Sequence, residues 1–331
     1  MTAVSIPYHL RPNKAIDRYA FLDLLAKVNN FDNKIEQCRY IGFGGFSLED
    51  FKILHHKFGI RKMVSLENNE ENCKRQEYNK PISCIEIKHC SSDDYINNFE
   101  NDIEDEDRTI IWLDYTSPRD IRSQINEFQS CIAKLFALDI IKITLNANPT
   151  TLHGGDDSNL SLQESRFKKL TELMEDLLPS NITPEQMTHK EYPKVLFSIL
   201  KRASNLQMEG GTLCLQPLSC FVYKDGGHEM LTMTAILLEE EAIKEFFTKT
   251  LIKQWELSRT NWDDNPLEIN LPDLTIKERI LIDSLLPDKN IDEIQENIGY
   301  LLTNKKEESL NLLKNYVLFY RYTPLFSKVL L

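Results

Sequence analysis

The chain has no apolar run long enough to cross a bilayer or to form the core of a signal peptide, which predicts a globular protein of the cytoplasm. It has no C-x-x-C pair either. Its cysteines, at 38, 73, 84, 90, 131, 214 and 220, are scattered and odd in number, so neither a disulfide framework nor a zinc knuckle fits, and reduced structural thiols are expected. Positive charge is in short supply. With 39 Lys and Arg against 51 Asp and Glu the net charge is −12, which argues against a surface that grips nucleic acid throughout, because phosphate binding depends on clustered Lys and Arg. No internal repeat is found.

What is there is ordinary in amount. At 41% hydrophobic and 27% charged, 331 residues suffice for one large α/β domain with an appendage, or for two smaller domains. Part of the excess acid lies in Glu100, Asp102, Glu104, Asp105, Glu106 and Asp107. That run reads as a solvated loop, with a metal site as the sharper alternative and no metal expected.

The most informative stretch is 39–45, Arg-Tyr-Ile-Gly-Phe-Gly-Gly, a short apolar strand running into a glycine-rich turn. This is how a Rossmann-type nucleotide site begins, since glycine permits backbone angles and a close ligand approach that a Cβ would block. Strands are predicted at 37–41, 62–66, 82–87, 109–113 and 140–145, separated by helices at 48–58, near 94–99 and at 121–136. Ser47 is the expected N-cap of the 48–58 helix and Gly59 its stop. That alternation implies right-handed βαβ units and a doubly wound parallel sheet.

Beyond Pro149 the pattern changes to helices over 161–178 and 184–204, then two β-rich runs, 212–223 and 229–238, around the hairpin turn 224–227. From 239 onward the chain reads as helical. A segment over 14–28 is helical as well, and the expected division is 1–34, 35–240 with an insertion at 150–210, and 241–331.

Ligands of such sheets bind outside the carboxyl ends of the strands. Those ends hold Gly42, Gly44 and Gly45; Glu67 and Asn68; Ser91 to Asp93; and Asp114 with Tyr115. Glu67 lies 22 residues after Gly45, the spacing at which an acid can accept hydrogen bonds from a ribose diol. Phe46 and Ser47 stand where a dinucleotide fingerprint would finish, so that fingerprint is incomplete.

With the late hairpin added, residues 35–240 resemble the class I S-adenosylmethionine-dependent methyltransferases, whose seven-stranded sheet ends in a hairpin with one strand inserted antiparallel. The resemblance implies S-adenosylmethionine as cofactor and an oxygen or nitrogen acceptor of unidentified chemistry. It makes Gly42, Gly44 and Gly45 the loop beneath methionine and ribose, and Glu67, beside Asn68, the acid on the ribose hydroxyls. Asp93 or Ser92 would bind the adenine amino group, and Asp114 and Tyr115 would be the catalytic contacts, with Asp114 or His153 as base. The family's usual acid two residues before the first glycine is replaced by Tyr40.

Two alternatives share the early strands: a catalytically silent interaction module and a nicotinamide-dependent oxidoreductase. A nucleic-acid substrate is disfavoured by the net charge. The helical C-terminal region is a candidate contact for a second copy or a protein partner. Arg11, Lys14 and Arg18 read as a solvated helix face, or alternatively as a site for a substrate anion or the cofactor carboxylate. Trp112, Trp255 and Trp262 are expected to pack.

Overall fold

The computed structural model describes residues 11–99, 108–118, 120–152, 160–225 and 227–324. The whole acidic run from Glu100 to Asp107, His153 and Gly154-Gly155 lie outside them. Eight strands form one sheet: β1 (Arg39–Gly42), β2 (Lys62–Glu67), β3 (Ile85–His89), β4 (Thr109–Asp114), β5 (Ile140–Asn146), β6 (Leu213–Asp225), β7 (His228–Glu239) and β8 (Leu267–Ile269). Their order across it is β3-β2-β1-β4-β5-β7-β6-β8. β1 to β5 are mutually parallel, β7 enters antiparallel against β5, β6 returns against β7, and β8 lies parallel to β6. This is the doubly wound sheet with a terminal hairpin that the sequence predicts. The eighth strand was not anticipated: three residues carry too little periodicity to read.

β1 to β5 need helical crossovers, and the apolar faces of those helices bury both sides of the sheet. On one side pack α4 (Ser92–Asn97), α5 (Ile121–Ile132), α6 (Leu162–Met174) and α7 (Tyr192–Met208). The other side takes α1 (Pro12–Asn29), α2 (Glu49–Phe58), α8 (Ile243–Thr250) and the end of α11 (Lys306–Phe319). α3 (Glu70–Asn79) links β2 to β3, while α9 (Ile276–Leu285) and α10 (Ile291–Ile298) share a small core with α11 around Ile282, Ile294 and Leu313.

Helix ends differ from expectation where local chemistry intervenes. α2 starts at Glu49 after Leu48, whose φ of 51° closes the turn, so Ser47 is not the N-cap and its hydroxyl is buried without a hydrogen-bond partner. α6 stops at Met174 because Glu175 adopts a φ of 48°. α7 begins only at Tyr192, after a separate 3-10 turn over Pro184–Gln186.

The largest correction concerns α1. Lys14 and Arg18 are each only 3% exposed, and Asp17 is fully buried, so this is not a solvated face. Lys14 pairs with Asp114, Arg18 with Asp50, and Asp17 with Lys142 of β5 at 2.6 Å. The Lys142 ammonium also lies 4.6 Å from the Trp112 ring centroid. Three buried cations matched by three carboxylates offset the desolvation that each would suffer alone.

All seven cysteines are free thiols. Trp112 is core, and its indole N–H donates to Thr144 at 3.0 Å. Trp255 donates to Tyr322, and Trp262 packs on Phe197, so both serve the fold. Among the described residues no helix is long and apolar enough to cross a membrane, and no cluster of His, Cys, Asp and Glu is arranged to hold a metal.

Candidate functional site

The carboxyl ends of β1 to β4 open into a cavity of about 580 Å³, closed on one side by the start of α1 and on the other by α4 and α5. Its size is within the range of small-molecule sites, and it lies where an open α/β sheet places its ligand.

Of the three glycines at the end of β1 and in the turn that follows it, only Gly45 lines the cavity, with a φ of 51° that a side chain would strain. Gly42 and Gly44 are buried in protein. A Cβ on Gly44 would lie 2.2 Å from Leu48 and 2.5 Å from the Ser65 hydroxyl, and one on Gly42 would lie 2.9 Å from the Tyr40 hydroxyl. The Gly44 N–H donates to Ser65, and Ser65 donates in turn to Gln76, so the turn is held from beneath by β2 and α3. Tyr40 itself is buried edge-on against Phe51.

Glu67 ends β2 half-exposed on the cavity wall beside Asn68. Its Oε1 accepts the Asn69 backbone N–H at 2.9 Å, which fixes the carboxylate while leaving lone pairs for a ligand. After β3, Cys90, Ser91 and Ser92 line the cavity. Asp93 does not: it is exposed in the first turn of α4, whose N-cap is Ser91.

Asp114 closes the α1 side. Burial opposes its ionisation, but the Lys14 ammonium beside it, reinforced by Arg18 and Lys142, outweighs that and holds the carboxyl below the ordinary carboxylate range. Arg11 lines the same end. Tyr115 points to the other face of the sheet, stacked edge-on against Phe43, and donates to Glu127 Oε2 at 2.7 Å. Burial, and then the Glu127 charge, push its hydroxyl pKa up, so it stays protonated.

The family described as "Putative O-methyltransferase" matches residues 6–331. The chain belongs to that family. Membership covers the insertion and the C-terminal helices as well as the sheet. Comparison with curated proteins gives no significant match.

Solved structures similar to this member of the family are distant. One is Trm1 from Pyrococcus horikoshii with S-adenosyl-L-methionine, at 11% identity and TM-score 0.42, over 91% of this chain and 75% of that one. Another is an O-methyltransferase from Bacillus cereus with SAH, at 13% identity and TM-score 0.36, over 70% and 84% of the two chains. The plantazolicin methyltransferase BamL, in complex with a triazolic desmethylPZN analog and SAH, aligns at 10% identity and TM-score 0.35, over 67% and 85%.

The cavity thus gathers Gly45, Glu67, Asn68, Asp114 and Tyr115, and leaves Gly42, Gly44 and Asp93 outside its lining. Sequence reasoning missed Gln124 and Glu127, which reach it from α5, and undervalued Lys14. A polar pair at i and i+3 on the helix after β4 was the available signal, since that spacing places both on one face.

Proposed function

We propose that the chain is an S-adenosylmethionine-dependent methyltransferase acting on oxygen, with its donor lying across the strand ends from α1 to α5. The observation that carries this reading is the cavity itself: an open glycine backbone, a fixed carboxylate at the end of β2 and a buried cation–anion pair from α1 and β4 line one chamber. Those features fit the three parts of the cofactor. Gly45 permits close approach beneath the sulfur-bearing chain. Glu67, fixed by the Asn69 N–H, accepts from the ribose hydroxyls. Lys14 and Asp114 complement the carboxylate and ammonium of the methionine end.

When bound, S-adenosylmethionine supplies an electrophilic methyl group on its sulfonium. The protein's work is then to place an acceptor oxygen in line with that methyl group and to exclude water, a positioning effect that lowers the barrier without side-chain chemistry. Asp114 is a poor proton acceptor while Lys14 holds it ionised, so its role in this reading is to bind rather than to act as base. Tyr115, kept protonated, positions Glu127 and closes the wall with Phe43.

The test is isothermal titration of the protein with S-adenosylmethionine and S-adenosylhomocysteine. Binding to the wild type is expected, and Glu67→Ala is expected to weaken it by about tenfold to a hundredfold, the worth of a charge-assisted hydrogen bond. Equal affinity in the variant overturns the ribose assignment. Thermal stabilisation by a nicotinamide dinucleotide and not by S-adenosylhomocysteine overturns the reading altogether.

A further inference from the structure

The cavity's α5 wall contains a carboxylate that the donor reading has not used. Glu127 lines the cavity, and its orientation is fixed from two elements: the Tyr115 hydroxyl donates to Oε2 at 2.7 Å and the Ser92 hydroxyl donates to the same oxygen at 2.5 Å. Its other oxygen has a single long contact, from Ser123 at 3.5 Å. One turn earlier, Gln124 lines the same cavity. Its amide N–H₂ is committed to the Ser117 carbonyl at 2.7 Å, so its oxygen is the end left over, and that buried oxygen has no hydrogen-bond partner. This end of the site therefore offers acceptors in excess of donors. A ligand that seats well here must bring a hydrogen-bond donor, and an amino group, with two N–H bonds on one atom, can meet both oxygens.

We infer that Glu127, with Gln124 behind it, reads the exocyclic amino group of the adenine base, the task that the family resemblance gives to Asp93. The inference rests on the donor reading above. Asp93 is exposed on the first turn of α4 and outside the cavity lining, whereas Glu127 stands inside it. Ser92 and Tyr115 are positioning residues: by occupying Oε2 they turn Oε1 to the ligand, and an ionised acceptor so fixed discriminates strongly against a base that lacks the amine.

The experiment is titration of the full chain with S-adenosylhomocysteine and with its 6-deamino purine analogue, which lacks the amino group and is otherwise unchanged. Wild-type protein is expected to bind the deamino compound about 10- to 100-fold more weakly, the range for one hydrogen bond to a charged partner. In Glu127→Gln the amide oxygen stays with Tyr115 and Ser92 and its N–H₂ replaces Oε1, so a donor faces the amine. Discrimination should fall below about threefold, with affinity for the deamino compound unchanged. Asp93→Asn should discriminate as wild type does.

Equal wild-type affinity for the two compounds overturns the inference without touching the donor reading, and needs no variant. Full discrimination in Glu127→Gln, or its loss in Asp93→Asn, overturns it as well. If the wild type binds neither compound, the donor reading itself has failed and takes the inference with it.

Discussion

Asp139 shows how much one side chain at a strand entrance can contribute. It sits just before β5, where its carboxylate accepts the Thr109 N–H at 2.7 Å and the Phe136 N–H at 2.8 Å, joining the starts of two central strands. Burial dominates even so, and raises its pKa from 3.8 to about 6. A carboxyl raised in this way favours the folded state while protonated: its contribution is fully present below about pH 3.8 and is lost as pH rises through about 6. Urea denaturation of wild type and Asp139→Asn over that window should show their stability difference changing by on the order of 3 kcal/mol, with wild type losing ground as pH rises. A difference that is flat in pH would show that burial does not control this group. At the same scale Gly44 shows that a glycine in a nucleotide-like motif can be required by its own protein neighbours, here Leu48 and Ser65, rather than by a ligand.

At the scale of elements, α1 is the surprise. It carries a core stripe of Ile16, Ala20, Leu24 and Leu25, and on the same buried surface three charged groups that reach β4, β5 and α2. These pairs fix the helix in register on the sheet and bring Lys14 to the cavity. Removing one partner leaves a buried charge unmatched. Lys142→Met is therefore expected to cost about 3–5 kcal/mol in urea denaturation, while the double variant Asp17→Leu with Lys142→Met recovers most of the loss because no bare carboxylate remains. Destabilisation of the double variant as large as that of the single would mean that packing, not charge pairing, is what Lys142 provides.

Over the whole molecule, the C-terminal region is part of the main body. β8 extends the sheet beside β6, and Phe246, Trp255, Ile269, Phe319 and Tyr322 share one core with Ile16, Tyr40 and Trp112. The Tyr322 hydroxyl, which accepts from Trp255, donates to Asp23 of α1 at 2.7 Å, joining the last described turn to the first helix. A chain truncated after Glu239 should then lose its cooperative thermal transition and bind a hydrophobic dye such as ANS, as a state with unfinished packing does. A sharp, cooperative transition in that truncated chain would show instead that residues 241–331 fold as a separate unit.

The alternation of strands and helices from β1 to β5, the glycine turn, Glu67 at the end of β2 and the terminal hairpin were legible in the sequence, because they depend on local periodicity, turn chemistry and spacing along the chain. Helix ends were less so: Leu48 and Glu175 take left-handed angles that no local propensity signals. What only the tertiary structure decided was which polar side chains face a ligand and which face each other. Lys14 and Arg18 look like surface residues until carboxylates on β4 and α2 meet them, and Glu127 looks like one more helix acid until Tyr115 and Ser92 turn it. The partners lie between 12 and 100 positions away along the chain, and a charge is buried only when its partner arrives with it.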